Sequence, residues 1–157
     1  MKVTGKPTVH PVLFVGGKMA GYFTWIILIL SLAGVSGLRQ NAGLVFDYAT
    51  YVALGVGVVI ILFSSFTLGR SISIGLPTQD TVLQTRGIYR FSRNPMYAGV
   101  HLVTLAAMLI TLKWWVILPG LFSFYTYHRI ILGEEKFLEG RFGPDYLQYK
   151  HKIRRYI

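Results

Sequence analysis

Cysteine is absent from this 157-residue chain, which excludes disulfides, thiolate metal sites and a cysteine nucleophile. Acidic residues are scarce, six against 16 Lys and Arg, and all charged residues together make up only 14%. With 53% of residues drawn from AVILMFWYC and a mean hydropathy of +0.50, polar surface is too sparse for a water-soluble domain of this size. The same apolar richness excludes a disordered chain, and the length leaves no room for separate cofactor and substrate domains. No clear internal repeat or low-complexity stretch is present. A net charge of +10 would point to nucleic acid in a soluble protein; in so apolar a chain it points to lipid headgroups, and nucleic acid is not expected as a partner.

The placement of the few charges organises the chain. None falls in residues 19–38 or 48–69, and at about 1.5 Å per residue each run reaches about 30 Å, the thickness of a bilayer core. A third run covers Asn94 to Leu112 and a fourth begins at Trp114, passes Arg129 and ends at Gly133. These runs predict an all-α, multi-pass transmembrane bundle of four spans, at about 19–38, 48–69, 95–112 and 114–133, with an inner loop 70–94 and a tail 134–157. The first run is too long for the apolar part of a signal peptide, so it is read as an anchor. With the N-terminus inside, 14 Lys and Arg fall on the inner segments and only Arg39 and Lys113 on the outer loops, which predicts both termini in the cytoplasm. Trp114 and Trp115 fit an aromatic belt at the opposite face, where a tight turn joins spans three and four. Gly55-x-Gly57 in span two is read as helix packing, since it lacks the strand-turn-helix setting of a nucleotide fingerprint.

The loop from Arg70 to Pro95 is longer than a plain connection needs. Gly75 and Pro77 mark turns, Thr81 to Thr85 favours extended structure, and Asn94-Pro95 has the pattern of a helix start with Asn as cap. Taken alone, Arg86, Arg90 and Arg93 are headgroup contacts. A second cluster changes that balance: Glu134, Glu135 and Glu139, half of the acidic residues, follow Tyr127 and His128 at the end of span four. Ionisable groups at a membrane boundary are costly unless solvated or paired. On a continued helix Tyr127 and Glu134 share a face, and the topology brings both clusters to the cytoplasmic ends of spans three and four. Together they can form one polar pocket. The four histidines, His10, His101, His128 and His151, have no ligand spacing, so no metal site is expected. His101, within span three, is read as a helix–helix hydrogen-bonding group.

The run from Gly87 through Tyr89, Arg93, Pro95 and Tyr97 to Gly99 has the form G-x-Y-x-x-x-R-x-P-x-Y-x-G. Followed by Glu134-Glu135 and by Phe142-Gly143 to Tyr149, it resembles the integral-membrane methyltransferases that include isoprenylcysteine carboxyl methyltransferase and phospholipid N-methyltransferases. The resemblance covers about residues 48–155 and implies S-adenosylmethionine as methyl donor, held near the cytoplasmic face. Carried over by position, donor contacts fall on Thr81, Val82, Leu83, Gln84, Tyr89, Asn94, Pro95, Met96, Tyr97 and Glu134. Arg129 lies near the place where the family keeps a basic residue facing the acceptor, and Arg129, Glu134 and Glu135 are the expected catalytic groups. Carboxyl methyltransferases of this group usually show His where this chain has Asn94, and the eukaryotic ones carry more spans; Asn-Pro-Met-Tyr is closer to the phospholipid branch.

The chemistry suits these residues. A sulfonium needs negative or π-electron density, which Tyr89, Tyr97 and Glu134 can supply. A carboxylate acceptor would need no base and could be oriented by Arg129, whereas an amine must give up a proton, to Glu135 or His128. The expected acceptor is a lipid or other hydrophobic small molecule entering from the bilayer. The tail from Arg141 to Ile157 either lies on headgroups or closes over the donor. Two other readings stay open: a non-catalytic basic membrane module that binds lipid or partner helices, and a reductase built on a related membrane core.

Overall fold

The structure, a computed structural model, describes residues 9–68 and 82–156. Every regular element among them is helical: α1 (Pro11–Leu32), α2 (Leu44–Leu68), a short 3-10 turn (Gly87–Arg90), α3 (Pro95–Thr111), α4 (Trp114–Phe142) and α5 (Pro144–Lys152). The expected turns at Gly75 and Pro77, and the site candidate Thr81, lie outside the described residues. Within the extended stretch expected up to Thr85, residues 82–85 form no regular structure.

Charge-free runs located the helices but misjudged their ends. α1 starts at Pro11, eight residues before the expected start, because Lys18 is carried inside the helix with its ammonium 4.1 Å above the Phe14 ring. α2 begins at Leu44, so Asp47 sits in its first turn, where the helix dipole favours a carboxylate. α4 runs nine residues past Gly133, through Glu134, Glu135 and Glu139. The tight turn after α3 is present, with Leu112 in the left-handed region at φ 47°.

The expected count of four spans is corrected to two. Among the described residues only α1 and α2 are long and apolar enough to cross a membrane. α3 is apolar but stops after 17 residues. α4 has 29, yet its apolar residues are diluted by Tyr125, Tyr127, His128 and Arg129 and its last turns are charged. Freedom from charge is a weaker condition than the apolar length a bilayer demands.

Packing is of the kind found between helices that cannot rely on a hydrophobic contrast with their surroundings. α2 meets α3 at Gly57 and Gly99, where a Cβ on either would stand within 2.9 Å of the other's carbonyl oxygen. α1 meets α4 at Gly17, where a Cβ would lie 2.2 Å from Thr126, and at Gly21 beside Ser123. Thr24, Thr50, Ser64, Thr104, Thr111, Ser123 and Thr126 are all buried, and Trp25 on α1 donates its indole N–H to Thr104 Oγ1 at 3.1 Å. Large apolar side chains such as Val52, Leu62, Phe63 and Phe66 on α2 point outward. A surface this apolar on helices this long fits lipid contact. Of the Gly55-x-Gly57 pair, Gly57 is the packing residue and Gly55 faces open space.

Candidate functional site

The entrance to α3 and the charged part of α4 lie side by side, as the two sequence clusters required. Tyr97, in the first turn of α3, donates its hydroxyl to Glu134 Oε1 at 2.7 Å, and its ring centre lies 5.7 Å from that of Tyr127. Glu134 is half-buried. Burial raises its carboxyl above the ordinary range, against the lowering effects of the Tyr97 hydrogen bond and the Lys18 charge. The packing of Gly17 on Thr126 puts Lys18 of α1 toward the same end of the bundle as Glu134.

Its neighbour Glu135, only 3% exposed, has an opposite environment. Arg155 donates to both of its oxygens, from Nε at 3.1 and 3.2 Å and from Nη2 at 2.9 Å. Arg93 Nη2 stands 3.4 Å from Oε1, and Asn94 Nδ2 donates to the same oxygen at 3.2 Å. Asn94 occupies the cap position of α3 but its side chain does not cap the helix, contrary to expectation; it turns to Glu135 and to the Arg155 carbonyl oxygen, 3.2 Å away. The Arg93 side chain is 8% exposed, yet its Nε and Nη1 have no hydrogen-bond partner among the described residues.

Around this core the loop is pinned to α2. Gln84 donates to the Thr67 carbonyl oxygen at 2.7 Å, and Gly87, at φ 59°, sits where a Cβ would come within 3.0 Å of the Thr67 side chain. Positive φ and close contact both favour glycine there. The 3-10 turn that follows buries Tyr89, whose carbonyl oxygen accepts from Tyr149 Oη at 2.7 Å. Burial pushes the Tyr89 phenol well up and those of Tyr146 and Tyr149 to about 12, so all three stay neutral donors. Of the remaining expected donor contacts, Pro95 is buried, Leu83 and Met96 are half-buried, and Val82 is exposed.

Arg129 is exposed on α4, and no hydrogen bond or ion pair joins it to this cluster among the described residues. Among the described residues His101 makes no helix–helix hydrogen bond of the expected kind: its Nδ1 is buried without a partner there, and its ring packs against Phe124 and Tyr127 of α4 at 4.8 and 6.1 Å. His128 Nδ1 lies 2.9 Å from the Tyr156 hydroxyl. The tail from Arg141 to Ile157 was expected either to lie on headgroups or to close over the donor, without any partner in it being named; Arg155 and Tyr156 are the tail residues that join this cluster. No group of three or more metal-ligand side chains occurs among the described residues.

An all-helical body with two membrane-length apolar helices, and a tyrosine–carboxylate pair beside a buried arginine–carboxylate node at one end, defines a small membrane protein with a polar site. Residues 46–145 match the sequence profile of the phospholipid methyltransferase family, well over half of the chain. The chain belongs to that family, whose activity is methyl transfer at membranes. No curated protein matches the chain.

Proposed function

We propose that the protein transfers a methyl group from S-adenosylmethionine to the amine of a membrane lipid, at the bundle end that carries Glu134. The observation that carries this reading is the Tyr97–Glu134 pair at 2.7 Å, within family-matched residues. S-adenosylmethionine supplies a methyl made electrophilic by the sulfonium that bears it. The residues present suit such a molecule. Glu134, half-buried with one hydroxyl donor and a lysine nearby, holds a positive charge, and Tyr97 fixes the carboxylate while presenting its ring. Arg93, with two buried nitrogens that have no partner among the described residues, suits the negative group of an amino-acid moiety. Asn94 faces the nucleoside or amino-acid part.

The basic residues gathered at this end, Lys18 among them, support placing it in the cytoplasm together with both termini. An amine acceptor must lose a proton. Glu135 is saturated by Arg155, Arg93 and Asn94, so the proton falls to His128, in the tautomer whose Nδ1–H donates to the Tyr156 oxygen and leaves Nε2 as the acceptor. Arg129, exposed on α4, is the cation that would orient a carboxylate acceptor instead; the family match favours the amine.

Purified protein in phosphatidylethanolamine vesicles with methyl-labelled S-adenosylmethionine tests the reading. Label is expected in the lipid, and Glu134→Gln should lower the rate by about 100-fold or more. Lipid binding without transfer to any amine or carboxylate lipid would leave only a basic membrane module.

A further inference from the structure

Segment 154–156 lies beyond the matched residues, yet it contacts the α3 entrance and α4 at several points. Arg93 N–H donates to the Arg154 carbonyl oxygen at 3.0 Å, and Ser92 Oγ and Asn94 Nδ2 donate to that of Arg155 at 3.3 and 3.2 Å. The Arg155 guanidinium grips both oxygens of Glu135. Consequently the Asn94 amide nitrogen is held between two acceptors, a carboxylate and a peptide carbonyl, neither of which can donate. That fixes which way the amide faces, because a flipped amide would set its oxygen against two oxygens. Asn94 Oδ1 is then the free atom, with no hydrogen bond among the described residues.

We propose that Arg155 is a positioning residue for the methyl-donor site: by holding Glu135 and offering its own carbonyl, it locks Asn94 as a hydrogen-bond acceptor for a donor group, hydroxyl or amino, on the bound nucleoside amino acid. Arg155 itself does not touch the ligand. Arg93 reaches one oxygen of Glu135, at 3.4 Å, and so does not supply the two-oxygen grip that Arg155 makes. This inference rests on the reading proposed above, and its failure is distinguishable from the failure of that reading.

The test measures KM for S-adenosylmethionine, kcat, S-adenosylhomocysteine affinity and thermal midpoint for the full chain and for Arg155→Gln and Arg155→Lys. Arg155→Gln should raise KM about tenfold and weaken S-adenosylhomocysteine in parallel, the scale of one charge-assisted hydrogen bond, with kcat within about twofold. Arg155→Lys, which keeps the charge without the two-pronged grip, should recover about half of that loss on a logarithmic scale. If Arg155→Gln fails to fold, Arg155→Lys decides alone, with a KM rise of about threefold. Unchanged KM in the folded variants, or a fall in kcat that follows loss of folded protein, overturns the inference. A wild-type chain that binds neither adenosyl compound overturns the functional reading itself.

Discussion

The two ends of the bundle each carry an arginine–carboxylate pair, and they are chemically unlike. At one end Arg39 meets Asp47 at 2.9 Å with the arginine exposed and the carboxylate half-exposed, at the start of α2. At the other, Glu135 is 3% exposed and gathers Arg155, Arg93 and Asn94. Solvent screens the first pair, and its loss exposes nothing that was hidden. In the second, Glu135 and Arg93 are desolvated although Arg155 reaches solvent, so removing the carboxylate leaves the Arg93 charge buried and unmatched. Charge near a helix end therefore says little by itself; the number of partners and the access of water decide what it does.

The largest expected effect follows from that dependence. Glu135→Ala leaves Arg93 buried without its counter-ion and should cost about 3–5 kcal/mol, read as a fall in thermal midpoint of the detergent-purified protein. A smaller effect separates Glu134 from Glu135. Burial raises the Glu134 carboxyl, so the folded chain holds this proton more tightly than an unfolded one would; that stabilisation is complete below the ordinary carboxyl range and is lost as pH rises through the raised value. A cationic ligand needs the carboxylate form. Preference for S-adenosylmethionine over neutral S-adenosylhomocysteine should thus grow with pH through the same window, by about tenfold, in a titration series from about pH 4.5 to 8. A flat ratio would mean that Glu134 does not face the sulfonium. The smallest effect is at the exposed end: Arg39→Ala should leave midpoint and methyl transfer unchanged, and a measurable loss in either would erase the contrast between the ends.

Much of this arrangement was legible in the sequence, for physical reasons that also mark where legibility stops. Charge-free runs located the helices because a burial-prone helix must exclude charge, and the end of α3 was fixed to one residue by Lys113 and the turn. The same rule misplaced α1, since Lys18 lies along the helix over Phe14, and counted α3 and α4 as spans when one is short and the other too polar. The pairing of Tyr97 with Glu134 was within reach because helix periodicity and topology put both at one end. The tie between Arg155 and Glu135 was not. It depends on the turn at Gly143, φ 52°, after which α5 and the segment beyond it come back to the α3 entrance. No periodicity encodes such a return. Asn94 misled for a related reason, since an Asn before Pro is a good cap until a buried carboxylate competes for its amide.

The central claim, that Glu134 and Tyr97 receive the sulfonium of a methyl donor, is tested most directly by calorimetric titration of S-adenosylmethionine and S-adenosylhomocysteine into wild-type protein and Glu134→Gln at neutral pH. The account predicts that the wild type binds both, the cation more tightly, and that Glu134→Gln abolishes the difference while retaining S-adenosylhomocysteine. Absence of binding by the wild type, or an undiminished preference for the cation in Glu134→Gln, would contradict it.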